Sequence, residues 1–185
     1  MTVSTAEAPS EEKNSNLSPE LQALVRTPEF KEWFGDWEGD PEGASKIVDE
    51  NGEPALVYFG NASGIQKLHG NNRNRTGADE LGFYFTSRKN NARFYASTLR
   101  GPVTDDVVPS SLYSAFLNMR EPYHKQPGDG VRTERVTELP EGHDGYVNQV
   151  SQELVVFSPD QIHIVGEEIV NEAPRVPLTD VVSIQ

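Results

Sequence analysis

Cysteine is absent from this 185-residue chain, and basic residues are few. Without cysteine the chain forms neither a disulfide framework nor a zinc–thiolate site. Sixteen Lys and Arg residues stand against 29 Asp and Glu residues, which gives a formal net charge of −13. This charge argues against broad binding to phosphate backbones, because such binding needs clustered Lys and Arg. Mimicry of DNA by a polyanion is one interpretation of the charge alone.

Sequence signals of metal sites, common cofactor loops and membrane segments are also missing. The histidines lack the short spacing of paired metal ligands, and no GxSxG, Walker or GxGxxG motif is present, so no metal site is predicted. No stretch of eighteen consecutive apolar residues occurs, and the first residues lack a basic region followed by an apolar run. We therefore expect no membrane partner and a cytoplasmic protein. The four histidines are His69, His124, His143 and His163.

The length and composition predict one globular domain with soft ends. A chain of 185 residues is long enough for one domain with a core and too short for two comfortable ones. Residues 1–16 show no apolar periodicity and are predicted to be a flexible leader. Residues 171–185 contain two prolines and are predicted to be a C-terminal tail. The domain itself is expected at residues 17–170.

Three helices are predicted from their start signals. Ser18 and Thr27 are N-cap residues, and each is followed by a proline at the first helical position. Apolar stripes follow both caps, and Gly35 is placed to end the second helix. A third helix over 89–99 is expected to begin at a Ser87 cap.

Many short strands accompany these few helices. An Asn-Gly pair at 51–52 between two apolar runs is typical of a type I′ hairpin turn, so strands are expected near 46–50 and 54–59. This composition implies an α+β fold with a split, mostly antiparallel β-sheet core. The other predicted strands lie at 81–87, 111–119, 143–150, 152–158 and 161–166.

Three motifs in order carry the functional signal. LVYFG at 56–60, GFYFTSRKNNARFYA at 82–96 and QELVVF at 152–157 resemble motifs of one ADP-ribosyltransferase branch, which includes diphtheria-toxin-like and poly(ADP-ribose)-polymerase-like enzymes. That branch carries His-Gly on a first strand, then G-x-Y-F with a second tyrosine eleven residues on, and last a glutamate that opens a late strand. Here Tyr95 follows Tyr84 by eleven positions, and Glu153 opens ELVVF.

The resemblance is closer still to the transferase domains of phage and mobile-element polyvalent proteins. Those domains typically run F-x-x-W-F-G-D-W, S-K-V-V-D-E-N-G-E-P, Y-F-T-S, F-L-N and E-Y-V-V-F-S-P. Five motifs in the same order are specific, and they extend from Thr27 to Ile164. The matching segments are FKEWFGDW (30–37), SKIVDENGEPALVYFGN (45–61), YFTS (84–87), FLN (116–118) and ELVVFSPDQI (153–162).

The resemblance implies an NAD-dependent mono-ADP-ribosyltransferase that acts in a bacterial cell as a phage or mobile-element effector or toxin. Its partners would be NAD, as substrate, and an unknown macromolecular acceptor, either a protein or a nucleic acid. The implied catalytic residues are Glu153 and Tyr84. The implied NAD-binding residues are Phe59, Gly60, Asn61, Tyr84 and Tyr95.

The chemistry of that reaction suits these residue types. Nicotinamide is a flat, electron-poor ring that binds between two aromatic faces, each contact being worth about 0.5–1.5 kcal/mol beyond burial. Gly60 lets the backbone approach the carboxamide edge. Breaking the N-glycosidic bond makes an oxocarbenium-like ribose, and a carboxylate such as Glu153 that holds a ribose hydroxyl lowers that barrier.

The chain departs from the family pattern at the motif histidine, which is Phe59 here. That histidine donates a hydrogen bond to a ribose hydroxyl of NAD, and losing such a bond costs about 1–3 kcal/mol. Asn61 is a candidate replacement donor. A second interpretation is a catalytically silent binding or inhibitor module that acts through its acidic surface. A third is an unrelated α+β interaction domain, in which Tyr84 and Tyr95 share no cavity.

The residue two before Glu153 indicates which acceptor to exclude. Arginine-specific relatives carry Glu or Gln there, and this chain carries Ser151. Arginine modification is therefore not predicted. Transfer of one ADP-ribose rather than a polymer is expected, because no site for a growing chain is recognisable.

Overall fold

Residues 15–61, 82–98, 110–125 and 139–171 are described by the computed structural model. Within these ranges the chain forms three α-helices, one short 3-10 helix and seven β-strands. The helices are α1 (Pro19–Leu24), α2 (Pro28–Phe34), α3 (Lys89–Thr98) and the 3-10 helix Pro159–Gln161. The strands are β1 (Val57–Asn61), β2 (Phe83–Thr86), β3 (Ser110–Leu117), β4 (Pro122–His124), β5 (Gly145–Asn148), β6 (Glu153–Val156) and β7 (Ile162–Asn171).

The predicted leader and tail fall almost entirely outside the described residues. At the inner end of the leader, the Asn16 side chain donates hydrogen bonds to Asp49 and Glu50 at 2.8 and 2.9 Å. At the other end, β7 extends to Asn171. The division into a leader (1–16), a domain (17–170) and a tail (171–185) stays a prediction.

Helices α1 and α2 begin at the predicted caps. The Ser18 hydroxyl accepts the N–H of Leu21 at 3.4 Å, and the Thr27 hydroxyl accepts the N–H of Phe30 at 3.3 Å. Each bond satisfies a backbone donor that the helix itself leaves unpaired. Gly35 then caps α2 with a φ of 99°, which a side chain would strain. The predicted starts and the predicted stop are confirmed.

The turn at residues 49–53 differs from the predicted type I′ hairpin. Gly52 has a φ of 80°, whereas Asn51 is not among the residues with positive φ that type I′ requires. The Asp49 carboxylate accepts the N–H groups of Asn51 and Glu53 at 2.8 and 3.0 Å, and its carbonyl accepts that of Gly52 at 3.0 Å. This side chain supports a wider turn. Beside the turn, the two predicted strands pair at the single bridge Val48↔Pro54. The strand predicted near 46–50 was wrong.

The other predicted strands form, and one strand was not predicted. The strand expected at 54–59 forms as β1, shifted toward its C-terminal end. Strand β4 was missed because it is three residues long and begins with proline, which weakens any strand pattern. It pairs in parallel with β5 at the end of the sheet, where a short strand is tolerated.

The seven strands form one sheet in the order β4-β5-β6-β2-β1-β3-β7. All neighbours are antiparallel except β4 and β5. Most neighbours pair over three or more residues, whereas β1 and β2 pair at Tyr58↔Thr86 alone. The sheet is therefore split between β1 and β2 into a four-stranded and a three-stranded part. The predicted α+β fold with a split sheet and a few short helices is confirmed.

One face of the sheet is covered by helices, and we call it the helix face. Buried Ala92 and Ala96 of α3 press on Gly60, where an added Cβ would lie 1.9 Å from the Ala92 carbonyl oxygen. At the β3 end, the Phe30 ring of α2 lies 5.3 Å from the ring of Phe116. The opposite face, which we call the Phe85 face, carries the largest buried cluster. Its members are Ile47, Val57, Phe85, Ala115, Leu117, Met119, Leu154 and Val156.

Strand register assigns the functional candidates to these two faces. Directly paired residues share a face, as do alternate residues of one strand. Because Gly60 lies on the helix face, so do Tyr58, its partner Thr86 and the next partner Glu153. Tyr84, two residues before Thr86, lies there as well.

The contact at Gly60 gives a stability prediction. Replacing Gly60 with Ala forces α3 away from β1, because the new methyl group would also lie 2.8 Å from the Ala96 nitrogen. We expect the free energy of unfolding in urea to fall by about 1–3 kcal/mol, as for other overpacked cores. Gly166→Ala is the matched control, since its Cβ meets nothing closer than 3.8 Å. Equal stability of the two variants would contradict this packing.

Candidate functional site

Glu153 opens β6 on the helix face, between β5 and β2. Register places Asn148 opposite it on one side and Thr86 on the other, and both are buried. Glu153 itself is half-buried, and its Oε2 accepts a hydrogen bond from the Ser151 hydroxyl at 2.8 Å. The carboxylate therefore lies in a row of polar side chains, with one oxygen oriented by a neighbouring hydroxyl.

Tyr84 lies near Glu153 on the adjacent strand. It pairs with Val155, two residues beyond Glu153. Tyr84 is thus the diagonal neighbour of Glu153, a relation that separates two residues by about 7–8 Å. Its half-buried ring packs against Tyr146 and Val155 in an aromatic cluster. The structure brings these two predicted catalytic residues together.

Tyr95 lies on α3, on the same side of the sheet. Its neighbour Ala96 is buried, whereas Tyr95 is 45% exposed. Its ring forms an edge contact with Phe94, with the centroids 6.1 Å apart. The helix side that packs on Gly60 carries the small residues Ala92 and Ala96. Tyr95 lies at the border of this contact, where its larger ring remains accessible. An accessible aromatic ring at this border is suited to stacking on a flat ligand.

Phe59 lies on the opposite, Phe85 face. Its ring centroid is 5.7 Å from that of Phe85 and 6.3 Å from that of Tyr113. The structure therefore does not bring the Phe59 ring to Tyr84 and Glu153. In this chain the ring that replaces the motif histidine serves in packing.

Gly60 and Asn61 also fall on different faces. Gly60 lies under α3, where its lack of a side chain allows the helix to approach the sheet. Asn61 is buried on the Phe85 face, opposite Ser111 of β3. Of the predicted site residues, four lie on the helix side of the sheet and two on the other side. The first group is Glu153, Tyr84, Tyr95 and Gly60, and the second is Phe59 and Asn61.

The family comparison agrees with the architecture. Residues 49–141, half of the chain, match the family model described as ADP-ribosyltransferase in polyvalent proteins. The chain belongs to this ADP-ribosyltransferase family. The matched segment contains both tyrosines and ends before β6, so Glu153 lies outside it. No curated protein matches the chain in sequence.

Membership assigns the general chemistry of NAD-dependent ADP-ribosylation to this domain. ADP-ribosyltransferases use NAD as the donor substrate, and an acceptor receives the ADP-ribosyl group. The helix side of the sheet in this ADP-ribosyltransferase carries three of the side chains that the motifs predict for the site. They are two tyrosine rings and one half-buried carboxylate.

Three further side chains on the helix face were not predicted as site residues. Thr86 and Asn148 flank the glutamate, and Tyr58 continues the same row on β1. The Lys89 ammonium lies 5.9 Å from the centroid of the Tyr58 ring, which places that ring under the first turn of α3. Strand alternation from Tyr84 would have found Thr86, because alternate residues share a face. Tyr58 and Asn148 need the register, which the motifs do not contain.

The Phe85 face carries a second carboxylate, Glu167 of β7. It accepts hydrogen bonds from the hydroxyls of Ser111 and Tyr113 at 2.7 and 2.9 Å. These two bonds, that from Ser111 first, lower the pKa of Glu167 below the ordinary value of a glutamate. Because Tyr113 pairs with both Phe59 and Glu167, these two residues lie on the same face of the sheet.

Metal and membrane features are not found in the described ranges. No group of three or more His, Asp or Glu side chains there is placed to hold a metal ion. No helix in those parts of the chain has the length and apolarity needed to cross a lipid bilayer.

The lowered pKa of Glu167 predicts a pH-dependent contribution to stability. A depressed folded-state pKa stabilises the fold above the unfolded pKa of about 4.3, and this contribution is lost as pH falls through the folded value. We expect Glu167→Gln to be less stable than the parent at pH 7, and the difference to shrink at pH 3. Urea unfolding at both values measures it. A difference independent of pH would contradict the assigned hydrogen bonds.

Proposed function

We propose that this chain is a mono-ADP-ribosyltransferase that transfers one ADP-ribosyl group from NAD to a macromolecule in the cytoplasm of a bacterial cell. The proposal includes its role as an effector of a phage or mobile element. The observation that carries it is the diagonal placement of Tyr84 and Glu153 on the helix face, beside the split in the sheet. Support comes from the family match over 49–141.

In this proposal the tyrosines bind and the glutamate acts on the ribose. Nicotinamide stacks against Tyr84 and the accessible ring of Tyr95. The bond between the ribose C1′ and the nicotinamide nitrogen breaks, and nicotinamide leaves with the electron pair. The Glu153 carboxylate holds a ribose hydroxyl and stabilises the positive charge on C1′. A nucleophile of the acceptor then attacks C1′ and loses its proton.

The neighbourhood of Glu153 also limits the acceptor. Ser151 stands where arginine-specific relatives carry Glu or Gln, and its hydroxyl is engaged with the Glu153 carboxylate. A second carboxylate or amide to orient a guanidinium is therefore missing two residues before Glu153. We propose an acceptor other than arginine, on a protein or a nucleic acid.

The first test removes the carboxylate. Glu153→Gln should lower NAD-dependent labelling of a bacterial lysate about 10²- to 10³-fold, because a preorganised charge facing the developing cation is lost. Radiolabelled NAD and gel analysis provide the measurement. Glu141→Gln, an exposed glutamate in the turn before β5, is the control and should label at the parental rate. Equal labelling by the Glu153 variant would refute the assignment.

The second test removes an aromatic wall. Tyr95→Ala should weaken NAD binding about 2- to 13-fold, the factor that corresponds to one stacking contact of about 0.5–1.5 kcal/mol. Because Tyr95 is exposed, this change leaves the core intact. Calorimetry gives the dissociation constant, and Tyr95→Phe, which keeps the ring, should bind as the parent does. Parental affinity in the alanine variant would show that Tyr95 is not part of the site.

The second candidate function is a catalytically silent binding or inhibitor module of the same fold. The observation that favours it is Phe59, which replaces the motif histidine and packs on the Phe85 face. No heat at millimolar NAD, together with tight binding to a host protein, would support this candidate. Saturable NAD binding and turnover would exclude it.

A further inference from the structure

Gln152, which directly precedes Glu153, has an unusual backbone conformation. Its φ is 58°, and among the described residues it is the one non-glycine residue with a positive φ. A side chain disfavours this left-handed region, so the conformation persists where surrounding contacts fix it. Strained positions of this kind are concentrated at functional sites.

Three hydrogen bonds from the turn between β2 and α3 hold Gln152. The Ser87 N–H donates to the Gln152 carbonyl oxygen at 3.2 Å. The Ser87 hydroxyl and the Arg88 Nε–H both donate to the Gln152 Oε1, at 3.0 and 2.6 Å. Main chain and side chain are thus fixed by two consecutive residues. We call Ser87, Arg88 and Gln152 the turn clamp.

The turn clamp joins the elements that carry the proposed site. Two of its residues lie between β2, which carries Tyr84, and α3, which carries Tyr95. The third is covalently bonded to Glu153. The contact therefore links the tyrosine-bearing segment to the carboxylate-bearing strand at the end of their pairing, next to Thr86↔Glu153.

Stability alone gives little reason for this arrangement. Ser87 and Arg88 are exposed, and hydrogen bonds at an exposed surface add little to global stability. A glycine at position 152 would adopt the same φ without strain. Unlike glycine, glutamine has a side-chain amide, and both neighbours donate hydrogen bonds to its oxygen.

A second set of contacts orders the other side of the same loop. The Asn148 side-chain oxygen accepts the N–H groups of Val150 and Ser151 at 3.0 and 3.2 Å. Ser151 in turn donates its hydroxyl to Glu153. The segment that leads into Glu153 is therefore held from one side by Asn148 and from the other by the turn clamp.

We propose that Gln152 is a positioning residue, and that the turn clamp sets the Glu153 carboxylate beside Tyr84, where it holds the ribose hydroxyl and faces the developing positive charge on C1′. This inference rests on the proposed function of Glu153. The residues of the clamp do not touch the reacting atoms, and they act through the backbone that leads to the carboxylate.

Two variants release the clamp in different ways. Gln152→Gly keeps the left-handed backbone accessible and removes the acceptor, whereas Arg88→Ala keeps the acceptor and removes a donor. We expect kcat for nicotinamide release to fall about 10- to 100-fold in both, as for a misplaced catalytic group. The dissociation constant for NAD should stay within about twofold, because both stacking tyrosines are retained. Arg88→Lys keeps a cationic donor and should recover much of kcat.

Gln149→Ala is the matched control, since Gln149 is an exposed glutamine in the same loop and should turn over NAD at the parental rate. Unchanged kcat in both clamp variants would overturn the proposal. So would a loss of kcat accompanied by an equal loss of NAD affinity and a lower Tm, because that pattern marks a purely structural role.

Amide hydrogen exchange separates this inference from the proposed function. In Arg88→Ala, exchange should rise at Ser87 and over 151–153 and stay unchanged in β1 and β3. If the parent protein does not turn over NAD, the proposed function fails, and the exchange data still decide whether the clamp orders Glu153. Unchanged exchange at these residues would overturn the clamp.

Discussion

The pairing of β6 with β2 is the interaction on which the candidate site depends. It places Glu153 opposite Thr86 and Tyr84 opposite Val155, so a glutamate and a tyrosine about seventy residues apart in sequence share one face. Side-chain alternation makes this arrangement sensitive, because a shift of one residue would turn either group to the other face. Buried side chains on both faces of this strand pair fix the register. Val155 is buried on the helix face and Phe85 on the opposite face.

The split beside β2 gives this pairing its functional context. With one paired position between β1 and β2, packing on both faces joins the two parts of the sheet. On the Phe85 face, Val57 of β1 packs in one buried cluster with Phe85 of β2, and on the helix face α3 presses Ala92 and Ala96 onto Gly60. The same helix presents Tyr95 at its border. The missing side chain at Gly60 allows α3 to lie close to the sheet. Tyr95, on the flank of α3, stays accessible. The proposed donor site lies along this border, on the side of Glu153.

The helix caps and the candidate site residues could be predicted from the sequence. The face of the sheet on which each candidate lies could not, because it depends on the long-range strand register. Local chemistry fixed the caps at Ser18 and Thr27, and ordered motifs identified Tyr84 and Glu153 as candidates. Motifs record residue types and spacing, however, and not the face on which a side chain lies. For this reason the motifs group Phe59 with Tyr84, although the Phe59 ring packs on the Phe85 face. The turn at 49–53 was mispredicted because the Asp49 carboxylate, and not the Asn-Gly pair, organises it. The strained backbone of Gln152 has no sequence signature at all.

The proposed function places NAD on the helix face, between the tyrosines and Glu153. A crystal structure with a non-hydrolysable NAD analogue tests it most directly. We expect the nicotinamide ring in contact with Tyr84 and Tyr95, and a ribose hydroxyl within hydrogen-bond distance of the Glu153 carboxylate. An analogue bound on the Phe85 face, near Phe59 and Glu167, would contradict it.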